Sequence, residues 1–256
     1  MNSAAVIGAL RLPSEASVDQ RVPKKLLLEN GARTAGDKRQ INDGIEELLW
    51  VATLKPGNIG VPAFRDANHE YIEIAVLCVS LRATAKAPRI IELIHRAIPY
   101  PLMLIAALGE TISVSLAHKR LSQIETGSIV LEGEILSVEL CEAGHLRAAP
   151  ATLAGFFASL PVAAQPSRNL FALYQGWIDR LSALEAANIT GSFVLHDSPE
   201  KTIERRFSLE AHCRLQGEIA NLRAQADRET QINKRVEINH ELQRLEAELV
   251  VAKARM

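Results

Sequence analysis

The stretch Ile98-Pro-Tyr-Pro-Leu-Met-Leu-Ile-Ala-Ala-Leu-Gly-Glu-Thr-Ile-Ser-Val-Ser-Leu-Ala-His-Lys-Arg120 carries the strongest structural signal in the chain. Two apolar runs, 101–108 and 111–117, are separated by a short Gly-Glu turn. This pattern predicts a β-hairpin whose strands lie in the core of a sheet. The second strand ends in three basic residues, so we expect a cationic tip and a candidate functional surface there. These residues are His118, Lys119 and Arg120.

The segments around this hairpin predict an α+β domain. Residues 71–81 are rich in β-branched and apolar residues and predict a strand, as do residues 129–141, whereas residues 88–98 predict a helix. Residues 37–54 also predict a helix, because several apolar side chains repeat at helical spacing. Those side chains are Ile41, Ile45, Leu48 and Ala52. The order of elements predicts a mixed or antiparallel sheet with flanking helices.

The second half of the chain predicts helices only. We expect the α+β domain to cover residues 1–147, a helical connector to cover 148–199, and a long coiled-coil-like helix to cover 200–256. Two hydrophobic seams, slightly out of phase, follow this last segment and form the predicted partner-binding surface. They comprise Leu215, Ile219, Leu222, Ile238, Leu242, Leu245 and Leu249. The seam packs either on the predicted helix at 170–187 of the same chain or on a second chain, possibilities that the sequence leaves open.

Composition argues against several classes of protein. A formal net charge of -1 over 256 residues gives no overall attraction to nucleic acid or anionic membranes, so any such contact requires a local patch. The three cysteines are far apart, which argues against a disulfide framework or a zinc knuckle and favours the reducing cytoplasm. The most apolar window, 90–108, is interrupted by charges and prolines, so no membrane span is expected. Glycine-rich phosphate or dinucleotide loops and zinc-protease spacing are also missing, so we predict no cofactor and no metal.

The remaining chemistry is cationic. Three short clusters of basic residues lie in the predicted α+β domain, and cations close to a duplex gain free energy from counterion release. Together the clusters predict a surface that follows DNA phosphates, although each cluster by itself is more typical of a solvated face. The predicted DNA-contacting residues are Lys24, Lys25, Lys38, Arg39, His118, Lys119 and Arg120.

Four segments carry a family resemblance. They are Arg21-Val-Pro-Lys-Lys25, Asp37-Lys-Arg-x-Ile-Asn-x-Gly-Ile-Glu-Glu-Leu-x-Trp50, His95-Arg-Ala-Ile-Pro-Tyr-Pro101 and Ser115-Leu-Ala-His-Lys-Arg120. In these segments the chain resembles an uncharacterised bacterial and archaeal family known as a domain of unknown function. Members are typically encoded beside helicase-type restriction subunits and DNA methyltransferases, so the resemblance implies a restriction-modification or phage-defence context. It implies no catalytic residues, because none is established for the family.

Three hypotheses follow. The first is a non-catalytic accessory subunit of a bacterial restriction-modification or anti-phage defence system, which contacts DNA or a helicase or methyltransferase partner, with a tail that docks on that partner or forms a homodimer. The second is a metal-dependent nuclease with an atypical carboxylate site formed by Glu73, Glu134 or Glu139 and assisted by Lys119. The third is a purely structural adaptor whose basic residues bind acidic protein.

Overall fold

The computed structural model describes residues 2–122, 129–140, 150–196 and 198–256. Its helices are α1 Ser3–Leu10, α2 Lys24–Asn30, α3 Ala35–Gly44, α4 Pro56–Ile59, α5 Ala87–Ala97, α6 Pro150–Ser159, α7 Leu170–Thr190, α8 Pro199–Arg228 and α9 Ile232–Ala254. Its strands are β1 Ser17–Arg21, β2 Ile45–Leu54, β3 Phe64–Arg65, β4 Glu70–Tyr71, β5 Ile74–Leu81, β6 Leu102–Leu108, β7 Thr111–Leu121 and β8 Ile129–Leu140. Across these residues, no helix combines the length and apolar character needed to cross a bilayer.

Six of the strands form one mixed sheet in the order β1-β2-β5-β6-β7-β8. Strands β5 and β6 are parallel, and the other neighbouring pairs in this sheet are antiparallel. Strands β3 and β4 pair separately as a short antiparallel ribbon. The predicted α+β class, with a mixed sheet, flanking helices and a helical C-terminal region, is confirmed.

Both faces of the central strands are buried. On one face, side chains of β5 and β6 share a core with α2, α3 and α5, including Leu77, Leu104 and Ile94. On the other face Val76 and Ile105 are also fully buried, and α1 lies against β6 and α6. Burial on both faces explains why these two strands read as continuous apolar runs.

The hairpin and the helix before it form as predicted. Strands β6 and β7 pair antiparallel around Gly109, whose φ of 59° is in the left-handed region that glycine adopts freely. Helix α5 corresponds to the helix predicted at 88–98, and β8 to the strand predicted at 129–141, although Cys141 lies outside the described residues. Strand β7 continues through the three basic residues to Leu121, so they belong to the sheet.

The helix predicted over 37–54 is wrong in its second half. Helix α3 ends at Gly44, and Ile45–Leu54 is strand β2, paired with β1 and β5. The register of β2 against β5 shifts twice, between Ile45 and Glu47 and between Trp50 and Ala52. Such bulges break the alternation of a strand, so buried side chains recur three residues apart and imitate a helix.

The chain divides into two compact units, Met1–Leu184 and Glu185–Met256. In the second unit the predicted single long helix is wrong: the helical segment breaks at residues 229–231, giving α8 and α9. Their pairing is antiparallel, since Arg223 of α8 contacts Glu246 of α9 at 2.7 Å while His212 lies near Lys253. The predicted domain boundary at 147/148 lies outside the described residues.

Replacing Gly31 tests the close approach of α2 and α5. A Cβ atom at Gly31 would lie 2.8 Å from the Leu93 carbonyl oxygen and 3.0 Å from the Ala97 Cβ. We therefore expect Gly31→Ala to lower the free energy of unfolding by about 1–3 kcal/mol, measured by urea titration. The control is Gly57→Ala, which places its methyl group in open space. Equal midpoints for the two variants would contradict the close approach.

Candidate functional site

The predicted cationic tip of the hairpin is divided between the two faces of the sheet. Successive side chains of a strand point to opposite faces. His118 accordingly lies against α7, where its Nε2 is 2.8 Å from Gln175 Oε1 and its ring stacks on Phe171. Lys119 lies on the α5 face and is only 4% exposed. Arg120 is half-buried and donates to the Leu121 carbonyl at 3.3 Å. The three residues therefore do not form one exposed surface.

Lys119 closes the carboxyl-terminal end of α5. Its Nζ donates to the main-chain carbonyl oxygens of His95 and Ile98, which the helix itself leaves without partners. A cation at this end of a helix is also favoured by the helix dipole. Burial lowers the pKa of Lys119 to about 7. In this position the lysine is a helix-capping group, and it is almost entirely buried.

His95 forms the second buried polar contact on this face. Its Nε2 lies 2.9 Å from Ser115 Oγ on β7, and the residue is completely buried. Its Nδ1 has no hydrogen-bond partner among the described residues. Burial, together with the nearby charge of Lys119, lowers the pKa of His95 to about 3. The imidazole is therefore neutral at physiological pH.

A cleft of about 630 Å³ lies beside these two residues, between the ends of α2 and α5 and the strand β8. It has the size of a small-molecule site. Arg96 lines it and pairs with Glu92 at 2.7 Å. Arg33 is exposed and forms no ion pair within the described chain, while Glu134 contributes an opposing charge. The mixture of signs points to no single ligand class.

A second polar network occupies the opposite face of the sheet. Tyr71 is buried, and its hydroxyl lies 2.6 Å from His118 Nδ1. His69 bridges two carboxylates, Asp66 at 3.1 Å and Glu132 at 3.0 Å. Partial burial opposes the charged form of His69, but the two carboxylate contacts outweigh it and raise the pKa of His69. A local sequence pattern does not reveal this network, because its members come from β7, β8, β4 and the turn before β4.

Lys24 connects helix α2 to helix α3. Lys24 Nζ donates to the carbonyls of Asn42, at 2.9 Å, and Ile45, which places the start of α2 beside the end of α3. Lys25, Lys38 and Arg39 are exposed. Lys25 pairs with Glu29 at 3.6 Å and Arg39 with Asp43 at 3.4 Å, both as exposed pairs one helical turn apart. Exposed pairs of this kind are weak, so these cations remain available to a ligand.

The three acids of the nuclease hypothesis do not meet. Glu73 precedes β5, which β6 and β7 separate from β8, a distance of about 14 Å at normal strand spacing. Glu134 and Glu139 are five residues apart on β8, or about 16 Å along a strand. Glu73 instead pairs with Lys55 at 2.8 Å. Among the described residues no group of three or more His, Cys, Asp or Glu side chains is placed to hold a metal ion.

The predicted partner-binding seam packs within the tail itself. Leu215 and Ile219 of α8 share a buried cluster with Leu242 and Leu245 of α9. The other seam residues pack against this cluster, namely Leu222, Ile238 and Leu249. The two out-of-phase seams are thus the facing sides of one helical hairpin, neither of the arrangements that the sequence left open. The same residues are therefore occupied before any partner binds.

Replacing Lys119 tests its capping role. We expect Lys119→Met to lower the free energy of unfolding by about 1–3 kcal/mol, because two buried carbonyl oxygens lose their donor. Urea unfolding followed by circular dichroism measures this change. The matched control is Lys38→Met, which alters an exposed side chain and is expected to shift stability by at most about 0.5 kcal/mol. A stabilising effect of Lys119→Met would show that the carbonyls do not depend on the lysine.

His95 predicts a loss of stability in acid. The folded chain keeps His95 neutral down to about pH 3, whereas the unfolded chain takes up that proton near its ordinary pKa of 6.5. The unfolded state therefore binds more protons in this window, and the free energy of unfolding falls as the pH falls, by up to about 1.4 kcal/mol per pH unit. We expect His95→Gln to flatten this dependence in urea titrations across the window. An equally steep dependence in the variant would contradict the assignment, and the exposed His240→Gln is the control.

Comparison with known proteins gives a family but no close relative. No curated protein and no solved structure matches the chain. The family described as Domain of unknown function (DUF4391) matches residues 10–249, which is nearly the whole chain. The chain therefore belongs to this family of uncharacterised domains.

Proposed function

We propose that the chain is a non-catalytic accessory subunit of a bacterial restriction-modification or anti-phage defence system. In this proposal it acts in the cytoplasm beside a helicase-type restriction subunit or a DNA methyltransferase and contacts the DNA backbone. The resemblance of its four segments to a family encoded at such loci supports the context. Membership of a family of unknown function is compatible with this proposal and does not identify an activity.

The observation that carries the DNA contact is the exposure of Lys25, Lys38 and Arg39 on two adjacent helices of one layer. The start of α2 lies beside the end of α3, so the two helices that carry these cations are neighbours in the fold. Lysine and arginine at such positions bind phosphates without reading sequence. The proposed interface therefore positions the protein on a duplex and confers no sequence preference.

The electrostatics around Lys24 support this surface. Burial lowers the pKa of Lys24, the nearby charges of Arg82 and Arg21 lower it further, and the nearby charge of Asp43 raises it. Positive groups thus stand close enough to repel one another, in a chain whose formal net charge is only -1.

The proposed interface is smaller than the set of residues that the sequence predicts. Lys119 is buried beneath α5, and His118 is held by Tyr71 and Gln175, so neither side chain is presented to a ligand. Arg120, on the opposite face from Lys119, stays outside the proposal. Lys24 serves mainly to join α2 to α3. The phosphate contacts are then assigned to the exposed residues Lys25, Lys38 and Arg39.

Charge removal on α2 and α3 tests the proposal. We expect the triple variant Lys25→Ala, Lys38→Ala, Arg39→Ala to bind a fluorescent DNA duplex more weakly than the unchanged chain. The slope of log affinity against log salt should decrease in magnitude by up to about 2.7, or about 0.9 for each phosphate that the variant no longer neutralises. Fluorescence anisotropy of the full chain at several salt concentrations measures both quantities.

A matched triple variant controls for overall charge. Lys201→Ala, Lys234→Ala, Arg235→Ala removes the same charge from exposed positions of α8 and α9. This control should retain the affinity and salt slope of the unchanged chain. The same loss of affinity in both variants would show that the interaction is a nonspecific attraction and would reject the α2–α3 surface. An unchanged chain that binds no DNA at low salt would also reject it.

A further inference from the structure

Helix α8 carries an exposed stripe with a hydrophobic centre and charged ends. Its members are three or four residues apart and therefore lie on one face of the helix: Glu200, Ile203, Phe207, Ala211 and Arg214. Ile203 is 44% exposed and Phe207 is 66% exposed, which is high for side chains of this size. Glu200 lies at one end of the stripe and Arg214 at the other.

Helix α9 completes a groove beside this stripe. A depression of about 610 Å³ lies between the two helices, and Val251, 50% exposed, forms part of its α9 wall. Contiguous exposed apolar side chains with a polar rim are typical of protein contact surfaces. The internal seam at Leu215 and Leu245 lies deeper in the hairpin and stays packed. A partner can thus dock without opening the hairpin.

We propose that this groove binds a second copy of the same chain, with the two α8 helices antiparallel about a two-fold axis beside Phe207. The argument is the spacing of the charges: Glu200 lies seven residues before Phe207 and Arg214 seven residues after it. In an isologous contact, each residue of one copy meets the symmetry-related position of the other. The symmetric arrangement therefore places Glu200 of each copy opposite Arg214 of the other.

The dimensions of the stripe fit this arrangement. Seven residues correspond to about 10.5 Å along a helix, so the two ion pairs would lie about 21 Å apart with the Phe207 side chains between them. Ile203 would meet the small side chain of Ala211 from the other copy. Glu204 and Glu210 are six residues apart, or about 120° around the helix axis, so they lie on opposite edges and do not face each other.

The competing contact of Arg214 is weak. Arg214 pairs with Glu218 one turn further along α8 at 2.9 Å, and both side chains are well exposed. An exposed pair of this type contributes little, so it yields readily to a contact with Glu200 of the other copy. The inference is independent of the proposed function, because association through α8 requires neither DNA nor a defence partner.

Charge exchange on α8 tests the dimer with the full chain. Sedimentation velocity over a dilution series should give a concentration-dependent dimer for the unchanged chain and a monomer for Phe207→Gln. Glu200→Arg alone and Arg214→Glu alone should each raise the dissociation constant by roughly tenfold or more, because each places like charges opposite each other twice. The double variant Glu200→Arg, Arg214→Glu should regain most of the affinity of the unchanged chain.

The rescue in the double variant distinguishes this contact from nonspecific association. Val236→Gln, which removes another exposed apolar side chain of α9 outside the groove, should leave the dimer unchanged. Circular dichroism of each variant checks that α8 remains helical. A monomeric unchanged chain, a dimer insensitive to Phe207→Gln, or a double variant no better than the single ones would each overturn the proposal.

Discussion

The parallel pairing of β5 with β6 constrains most of the first unit. Parallel neighbours cannot be joined by a tight turn, so the chain between them must cross one face of the sheet, and here the crossing contains α5. Helix α5 then offers a packing surface to α2 at Gly31 and presents its last carbonyl groups to β7. The positions of α2, α5 and Lys119 all follow from this one connection.

The segments that resemble a known family meet in pairs in the fold. Lys24, from the first segment, donates to the carbonyl of Asn42 in the second. Lys119, from the fourth, donates to the carbonyl of His95 at the start of the third. In both cases a lysine satisfies carbonyl groups at the end of a helix, which the helix cannot satisfy itself. The four segments therefore contain residues that hold the fold together as well as residues that are exposed on the surface.

Burial divides the basic residues of the first unit into two groups. Charged groups are buried only when other groups satisfy them, and the carbonyls of α5 do so for Lys119. Of the seven basic residues predicted to contact DNA, only three are exposed, namely Lys25, Lys38 and Arg39. The apolar side chains of the tail divide in the same way: one set closes the hairpin and the other, around Phe207, faces outward. In each case burial separates structural from available residues.

Local sequence patterns were enough to establish the α+β class, the β6–β7 hairpin, helix α5 and the helical tail. These features depend on the periodicity of apolar residues and on turn residues within short windows of sequence. The same patterns misassigned β2, since two bulges imitate helical spacing, and they did not place the break between α8 and α9. Only the tertiary structure established that β7 continues through His118 and Lys119, which then point to opposite faces, and that the two seams face each other. Burial and pairing depend on segments far apart in the chain, and a local pattern contains no information about them.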